Sequence, residues 1–239
     1  MKIACWSGPR NISTALMRSW SSREDTFVSD EPFYAYYLKK TRLKHPMYKE
    51  IINYYPNSLN GVLKSINREI PESKNIWYQK HMAHHLLESE ELKWLENFHN
   101  CFLIRHPRQV IPSYTKKNKL YKIEELGYKQ QNQMIDYLTK NKKKFIIINS
   151  NVLLKNPKKI LEKWCEKINI EYNPNMLKWK KGQYDTDGIW YKYWYDSVIK
   201  TTRFKKITTN VYNTIDEEYL DIYNDALYYY NKMNSLAIK

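Results

Sequence analysis

At 239 residues, 42% of them hydrophobic, with a formal net charge of +15 from 40 Lys and Arg against 25 Asp and Glu, the chain has the composition of a globular protein with one substantial core, alone or with a helical appendage. Cys5, Cys101 and Cys165 are odd in number, widely separated and without a Cys-x-x-Cys pair, which argues against a disulfide framework or a zinc site and for a reducing compartment. No apolar run approaches the length of a membrane span and the first strand begins at Lys2, so cytoplasmic residence is the expectation. The basic excess favours acidic ligands, nucleic acid or anionic surfaces, although the joint abundance of Lys, Asn, Ile and Tyr is also what a biased genome composition produces.

In chain order, Lys2 to Trp6 is a short apolar run that reads as a buried strand, Gly8-Pro9 marks a sharp turn, and Asn11 to Thr14 supply capping oxygens before a helical pattern from Ala15 to Trp20. At a strand–turn–helix junction the unpaired N–H groups of the first helical turn converge on one spot that the helix dipole makes attractive to an anion. With Arg10 and the hydroxyls of Ser13 and Thr14 beside it, the stretch predicts a phosphate or sulfate cradle.

A second strand is predicted over Thr26–Ser29, ended by Asp30-Glu31-Pro32-Phe33. Glu31 then stands at a strand's carboxyl end, where open parallel sheets gather their ligands, and is a candidate for proton transfer, although these residues alone favour a helix cap. Residues 33–70 read as a helical insertion rich in Tyr and Lys, with breaks at Pro46 and Pro56. A third strand, Asn75–Gln79, runs into Lys80-His81-Met82, with His84 and His85 close behind. Three histidines in five residues lack the spacing of a zinc motif, and His81 is instead a second candidate base or a structural histidine.

The fourth strand, Asn100–Ile104, leads directly into Arg105-His106-Pro107-Arg108. That brings guanidinium groups suited to gripping phosphate to the edge that holds the cradle, with Ser113 in the helix that follows as one more donor. A loop at Lys116–Tyr121, a helix over Ile123–Leu138, a fifth strand at Phe145–Ile148 and a helix from Pro157 to Ile168, capped by Asn156, complete a strand–helix alternation. This predicts an α/β fold with a mostly parallel sheet of about five strands flanked by helices. Residues 173–239 form an aromatic-rich C-terminal extension in which Trp and Tyr alternate with Lys around Gly182 and Gly188, ending in a helical pattern from Asp216 to Leu236. Aromatic faces beside basic groups can stack on a base or seal a core edge.

These residues resemble a family. Ser7 to Leu16 is similar to the 5′-phosphosulfate loop of P-loop sulfotransferases, Phe102 to Ser113 to their 3′-phosphate segment, and Val152 to Ile168 to a leucine-rich helical region late in that fold. Within that superfamily the chain is similar to bacterial sulfotransferase-like proteins in Trp6 to Thr14, Asp30 to Tyr34, Lys80-His81-Met82 and Thr186-Asp187-Gly188-Ile189-Trp190. The resemblance covers nearly all of residues 1–239 and implies a single domain of P-loop type.

The activity it implies is transfer of a sulfuryl group from 3′-phosphoadenosine 5′-phosphosulfate (PAPS) to an acceptor hydroxyl or amine of a small molecule or carbohydrate, by in-line displacement and without a metal. By position, Arg10, Asn11, Ile12, Ser13 and Thr14 are expected around the 5′-phosphosulfate, and Arg105 and Ser113 at the 3′-phosphate. Arg10 is expected to stabilise charge in the transition state, and Glu31 first, His81 second, to take the acceptor's proton. Ile12 stands where the family's loop carries a second glycine, and a positive φ there suits an isoleucine poorly. Two other classes are weighed against this one. A P-loop kinase lacks its lysine here, and a basic nucleic-acid binder rests on charge and aromatic content alone; a non-catalytic homologue binding a nucleotide or other anion is the alternative that Ile12 raises.

Overall fold

The structure, a computed structural model, describes residues 1–87, 91–207 and 212–239. The apolar run at the start of the chain forms β1 (Lys2–Ser7), buried on both faces from Ile3 onward, as the middle strand of a fully parallel sheet. On one side it pairs with β3 (Ile76–Met82) and beyond it β2 (Thr26–Asp30), and on the other with β4 (His99–Ile104) and β5 (Phe145–Asn149), giving the order β2-β3-β1-β4-β5. The expected five-stranded α/β sheet is therefore present. Its third strand runs three residues further than its sequence pattern indicates, so that Lys80 and His81 lie inside β3.

Side-chain alternation along these strands separates two apolar layers. Ala4, Trp6, Phe102, Ile104 and Ile147 face one layer, and Ile3, Cys5, Tyr78, Leu103 and Ile148 face the other. The second is covered by α1 (Ser13–Ser21) and by α7 (Ser150–Lys155) and α8 (Pro157–Lys167), with Trp20 and Trp164 packed edge to face at 4.8 Å. Between β2 and β3 run α2 (Tyr34–Thr41), α3 (Tyr48–Tyr54) and α4 (Leu59–Asn67), the last capped by the Ser58 hydroxyl.

The first layer also takes α5 (Pro107–Thr115) and α6 (Tyr128–Lys140). The helical pattern over 123–138 is split: a short 3-10 turn, Ile123–Leu126, precedes Gly127, whose φ of 74° breaks the helix before α6 begins. The C-terminal extension contributes the single turn α9 (Tyr191–Trp194) and α10 (Leu220–Ser235), which packs against α5 and α6. Among the described residues no helix is long and apolar enough to cross a membrane.

Buried ties attach the extension to α1 and to the sheet. Arg18 of α1 pairs with Asp187 at 2.5 Å, both side chains almost fully enclosed, and the Tyr184 ring lies over the guanidinium at 3.8 Å. The next amide, Gly188 N–H, donates to Asp30 at 3.0 Å. A side chain at Gly188 would meet the Trp190 ring at 2.1 Å, which explains the glycine in Thr186-Asp187-Gly188-Ile189-Trp190. Removing one member of a buried pair leaves an uncompensated charge. We expect Asp187→Ala to cost about 3–5 kcal/mol in urea unfolding, and the double change Arg18→Met, Asp187→Leu to recover most of it.

The turn after β1 is shaped by backbone constraints. Gly8 lies so close to the chain after α5 that a Cβ there would sit 2.1 Å from the Leu126 carbonyl oxygen. Arg10 (φ 62°) and Ile12 (φ 60°, ψ 18°) are both left-handed, so the position expected to strain an isoleucine does adopt positive φ. That conformation costs a non-glycine residue about 1–2 kcal/mol. Ile12 offsets part of the cost by packing its side chain against the second apolar layer. The expected signature is an inverted order: Ile12→Gly should be more stable than Ile12→Ala by about 1 kcal/mol in chemical denaturation, because alanine loses the packing yet keeps the strain.

Candidate active site

With all strands parallel, every carboxyl end lies on one edge of the sheet, and the order reverses around β1. The loop from Ser7 to Ile12 leaves β1 at that edge and enters α1, a nine-residue helix with no side-chain cap. The Ile12 carbonyl accepts from Leu16 N–H at 3.0 Å, so the N–H groups of Ser13, Thr14 and Ala15 belong to the turn that has no intrahelical acceptors. Asn11 is buried and donates to the Leu103 carbonyl of β4 at 3.2 Å, which fixes the loop against the neighbouring strand.

The loop is also tied to the segment after β4. Arg105 donates to the Arg10 carbonyl at 2.8 Å, and the Arg10 Nε donates to the Ser113 hydroxyl at 2.9 Å. Three residues singled out in two stretches of sequence, some hundred positions apart, therefore meet beside the first turn of α1. Burial, with Arg10 adding to it, lowers the Arg105 pKa, while Tyr128 opposes the shift. Two guanidinium groups brought together at a helix N-terminus make a strongly anion-attracting locus. Arg108, by contrast, turns to α10, where its Nε donates to the Tyr223 hydroxyl at 3.0 Å.

Glu31 and His81 part company. Glu31 follows β2 with φ 43°, its N–H bonded to the Lys80 carbonyl at 2.9 Å and its own carbonyl accepting from Tyr34 N–H at 3.0 Å. Its carboxylate is ion-paired to the Lys80 ammonium and retains 11% exposure. Burial above all, against the pull of Lys80 and with Asp30 adding to it, pushes the Glu31 pKa up to about 6.

His81 points through the opposite face of β3 into the first apolar layer. It is stacked on Trp6 at a centroid distance of 4.4 Å and lies 5.6 Å from Phe33. Its Nε2 meets the Gln79 side-chain oxygen at 3.3 Å, and burial lowers its pKa to about 3, so the ring is neutral. His85 is sandwiched between Tyr34 and Tyr37, and among the described residues no three His, Cys, Asp or Glu side chains come together in metal-ligating geometry.

The residue that sequence reasoning passed over is Lys80. Its Nζ lies 2.9 Å from Asp30, donates to the Tyr195 hydroxyl at 2.8 Å and pairs with Glu31. Burial alone would lower the ammonium's pKa, but Asp30, Glu31 and Tyr195 outweigh it and hold the value well above that of an ordinary lysine. Tyr195 in turn donates to the Asp30 carboxylate, 2.6 and 2.7 Å from its two oxygens. The signal that could have found it is a charged residue near the end of a strand, one position from the histidine and so on the other pleat face.

Comparison with known proteins gives this arrangement a family. The sequence pattern of the Sulfotransferase domain matches residues 1–237. Two Arabidopsis thaliana proteins, Branched-chain-amino-acid aminotransferase-like proteins 2 and 1, are 31% identical over 202 residues and 30% identical over 233, or 84% and 98% of this chain. The chain spans only 36% and 41% of their lengths.

Among solved structures, the sulfotransferase domain of the Synechococcus PCC 7002 olefin synthase aligns with a TM-score of 0.54 at 16% identity, over 94% of each chain. A sulfotransferase from Alicyclobacillus acidocaldarius aligns with a TM-score of 0.55 at 8% identity, over 99% of this chain and 96% of its own. Likenesses this remote in sequence speak for the fold, and the family pattern speaks for descent. The chain belongs to the Sulfotransferase domain family.

Proposed function

We propose that the protein transfers a sulfuryl group from PAPS to a hydroxyl or amine of a small-molecule or carbohydrate acceptor, within one sulfotransferase-like domain over residues 1–239. The observation that carries this reading is the direct link of Arg10 to Ser113 and of Arg105 to the Arg10 carbonyl, because it joins the two stretches expected to grip opposite ends of one nucleotide. In this assignment the α1 amides with Arg10, Asn11, Ile12, Ser13 and Thr14 hold the 5′-phosphosulfate, and Arg105 and Ser113 hold the 3′-phosphate.

The acceptor oxygen or nitrogen attacks sulfur in line with the bond to the 5′-phosphate. A new bond to sulfur forms as the sulfur–oxygen bond to the phosphate breaks, and adenosine 3′,5′-bisphosphate leaves with the electron pair. Negative charge grows on the bridging oxygen, and preorganised amides and Arg10 aimed there lower the barrier. The acceptor's proton passes to Glu31, whose pKa near 6 leaves it ionised at neutral pH yet more basic than an ordinary carboxylate. His81, held near pKa 3 against Trp6, is much the weaker base.

Calorimetric titration with adenosine 3′,5′-bisphosphate is the direct test. Saturable binding is expected, weakened about ten- to hundredfold by Arg10→Ala or Arg105→Ala as charge-assisted hydrogen bonds are lost. No binding to the folded protein, or binding indifferent to both arginines and steeply salt-dependent, would sink the reading in favour of a repurposed anion or nucleic-acid binder.

Glu31→Gln should lower sulfuryl transfer by about a hundredfold or more. It should also stabilise the fold. A carboxylate whose pKa is raised from 4.5 to about 6 on folding contributes stability below pH 4.5 that is lost as pH rises through 6. The variant is therefore expected to exceed the parent by about 2 kcal/mol at pH 8, with the gap closing towards pH 4.5 in urea titrations.

A further inference from the structure

We propose that Lys80 and Asp30 are positioning residues for Glu31: Lys80 fixes the carboxylate, and Asp30, braced by the Tyr195 hydroxyl and the Gly188 amide, draws on the same ammonium so that Glu31 stays a competent base. The inference rests on the reading of Glu31 as proton acceptor.

An ammonium has three protons to donate, and those of Lys80 face three acceptors, on Asp30, Glu31 and Tyr195. With every donor engaged, and the side chain only 1% exposed, Lys80 has no proton left over with which to reach a bound substrate. Its place is behind the carboxylate. A lone Lys–Glu pair would make a poor base, because an opposite charge at contact distance depresses a carboxyl pKa by about 1–3 units. The second carboxylate changes that balance. Asp30 takes its share of the ammonium while receiving the Tyr195 hydroxyl and the Gly188 N–H, so the cluster holds two carboxylates against one cation and Glu31 is the member with fewer donors.

The surrounding groups do not compete for the proton. Tyr34 of α2 and Tyr195 beyond α9 have hydroxyl pKa values raised by burial. His84 and His85, after β3, are kept neutral by burial and also feel the Lys80 charge, as does His81 from the opposite face of the strand. The two groups that brace Asp30 both come from the C-terminal extension, which is thereby coupled to the basicity of a residue at position 31.

The test follows the Glu31 carboxyl carbon by NMR titration of the full chain, beside the acid limb of kcat/KM. Asp30→Asn, nearly isosteric, should move the Glu31 titration and the acid limb down by about one pH unit or more, since Lys80 then acts on Glu31 alone. Lys80→Met should move both upward by a similar amount, and Lys80→Arg should stay within about half a unit of the parent. If Lys80→Met does not fold, Asp30→Asn and Lys80→Arg carry the test. A Glu31 titration left unmoved, or moved upward, in folded Asp30→Asn overturns the proposal. Adenosine 3′,5′-bisphosphate should bind Asp30→Asn with parental affinity. Loss of binding in the parent protein would count against the transferase reading, whereas the Glu31 titration judges this inference without any turnover.

Discussion

The parallel pairing of β1 with both β3 and β4 is the constraint on which the rest of the molecule depends. A strand flanked on both sides and buried on both faces is built mainly of apolar side chains, and it must deliver its chain at the edge where the other four strands end. From that one placement follow the loop to α1, the approach of Arg105 from the next strand, and the approach of Glu31 from two strands away. Arg105 and the cluster of Asp30, Glu31 and Lys80 therefore come from opposite sides of the central strand. They are held apart by the sheet itself, so Lys80, enclosed at the end of β3, neutralises carboxylates without joining the arginines.

Much of this was legible in the sequence where chemistry and periodicity coincide. Strands ending in Gly-Pro-Arg, Asp-Glu-Pro and Arg-His-Pro were identifiable because short apolar runs give way abruptly to turn residues and charge, and the cradle and its partner at Arg105 to Ser113 followed from that pattern. The alternation of strands and helices likewise gave a parallel sheet. What was not legible depends on side-chain direction and on long-range pairing. His81 and Lys80 are adjacent in sequence, but the period of two sends one into a stack with Trp6 and the other towards Asp30, and only the position where β3 ends decides which lies at the site. The break at Gly127 hid because the flanking residues keep a helical pattern of apolar positions across it. The roles of Asp187 and Gly188 hid because their partners lie about 160 residues upstream.

The site also concentrates costs that the core must offset. Ile12 and Glu31 both hold backbone angles that L-residues with side chains avoid, and an ion cluster with unequal charge is enclosed at Glu31. Such features persist only where the surroundings determine them many times over. Here the surroundings are the two apolar layers, with Trp6, Trp20 and Trp164 fully enclosed, and the hydrogen bonds that pin each turn to a neighbouring strand.

The ties from Arg18 to Asp187 and from Gly188 and Tyr195 to Asp30 also bear on the order in which the molecule can be assembled. The hydrogen bonds that link the loop after β1 to the segment after β4 span 95 and 103 positions, whereas the two groups that brace Asp30 reach it across 158 and 165. Contacts of such separation form only after the chain has given up the entropy of a very long loop. During synthesis a nascent chain can thus bring Arg10, Arg105 and Ser113 together before it can brace Asp30, and the surroundings of Glu31 are completed by the last third of the polypeptide to emerge.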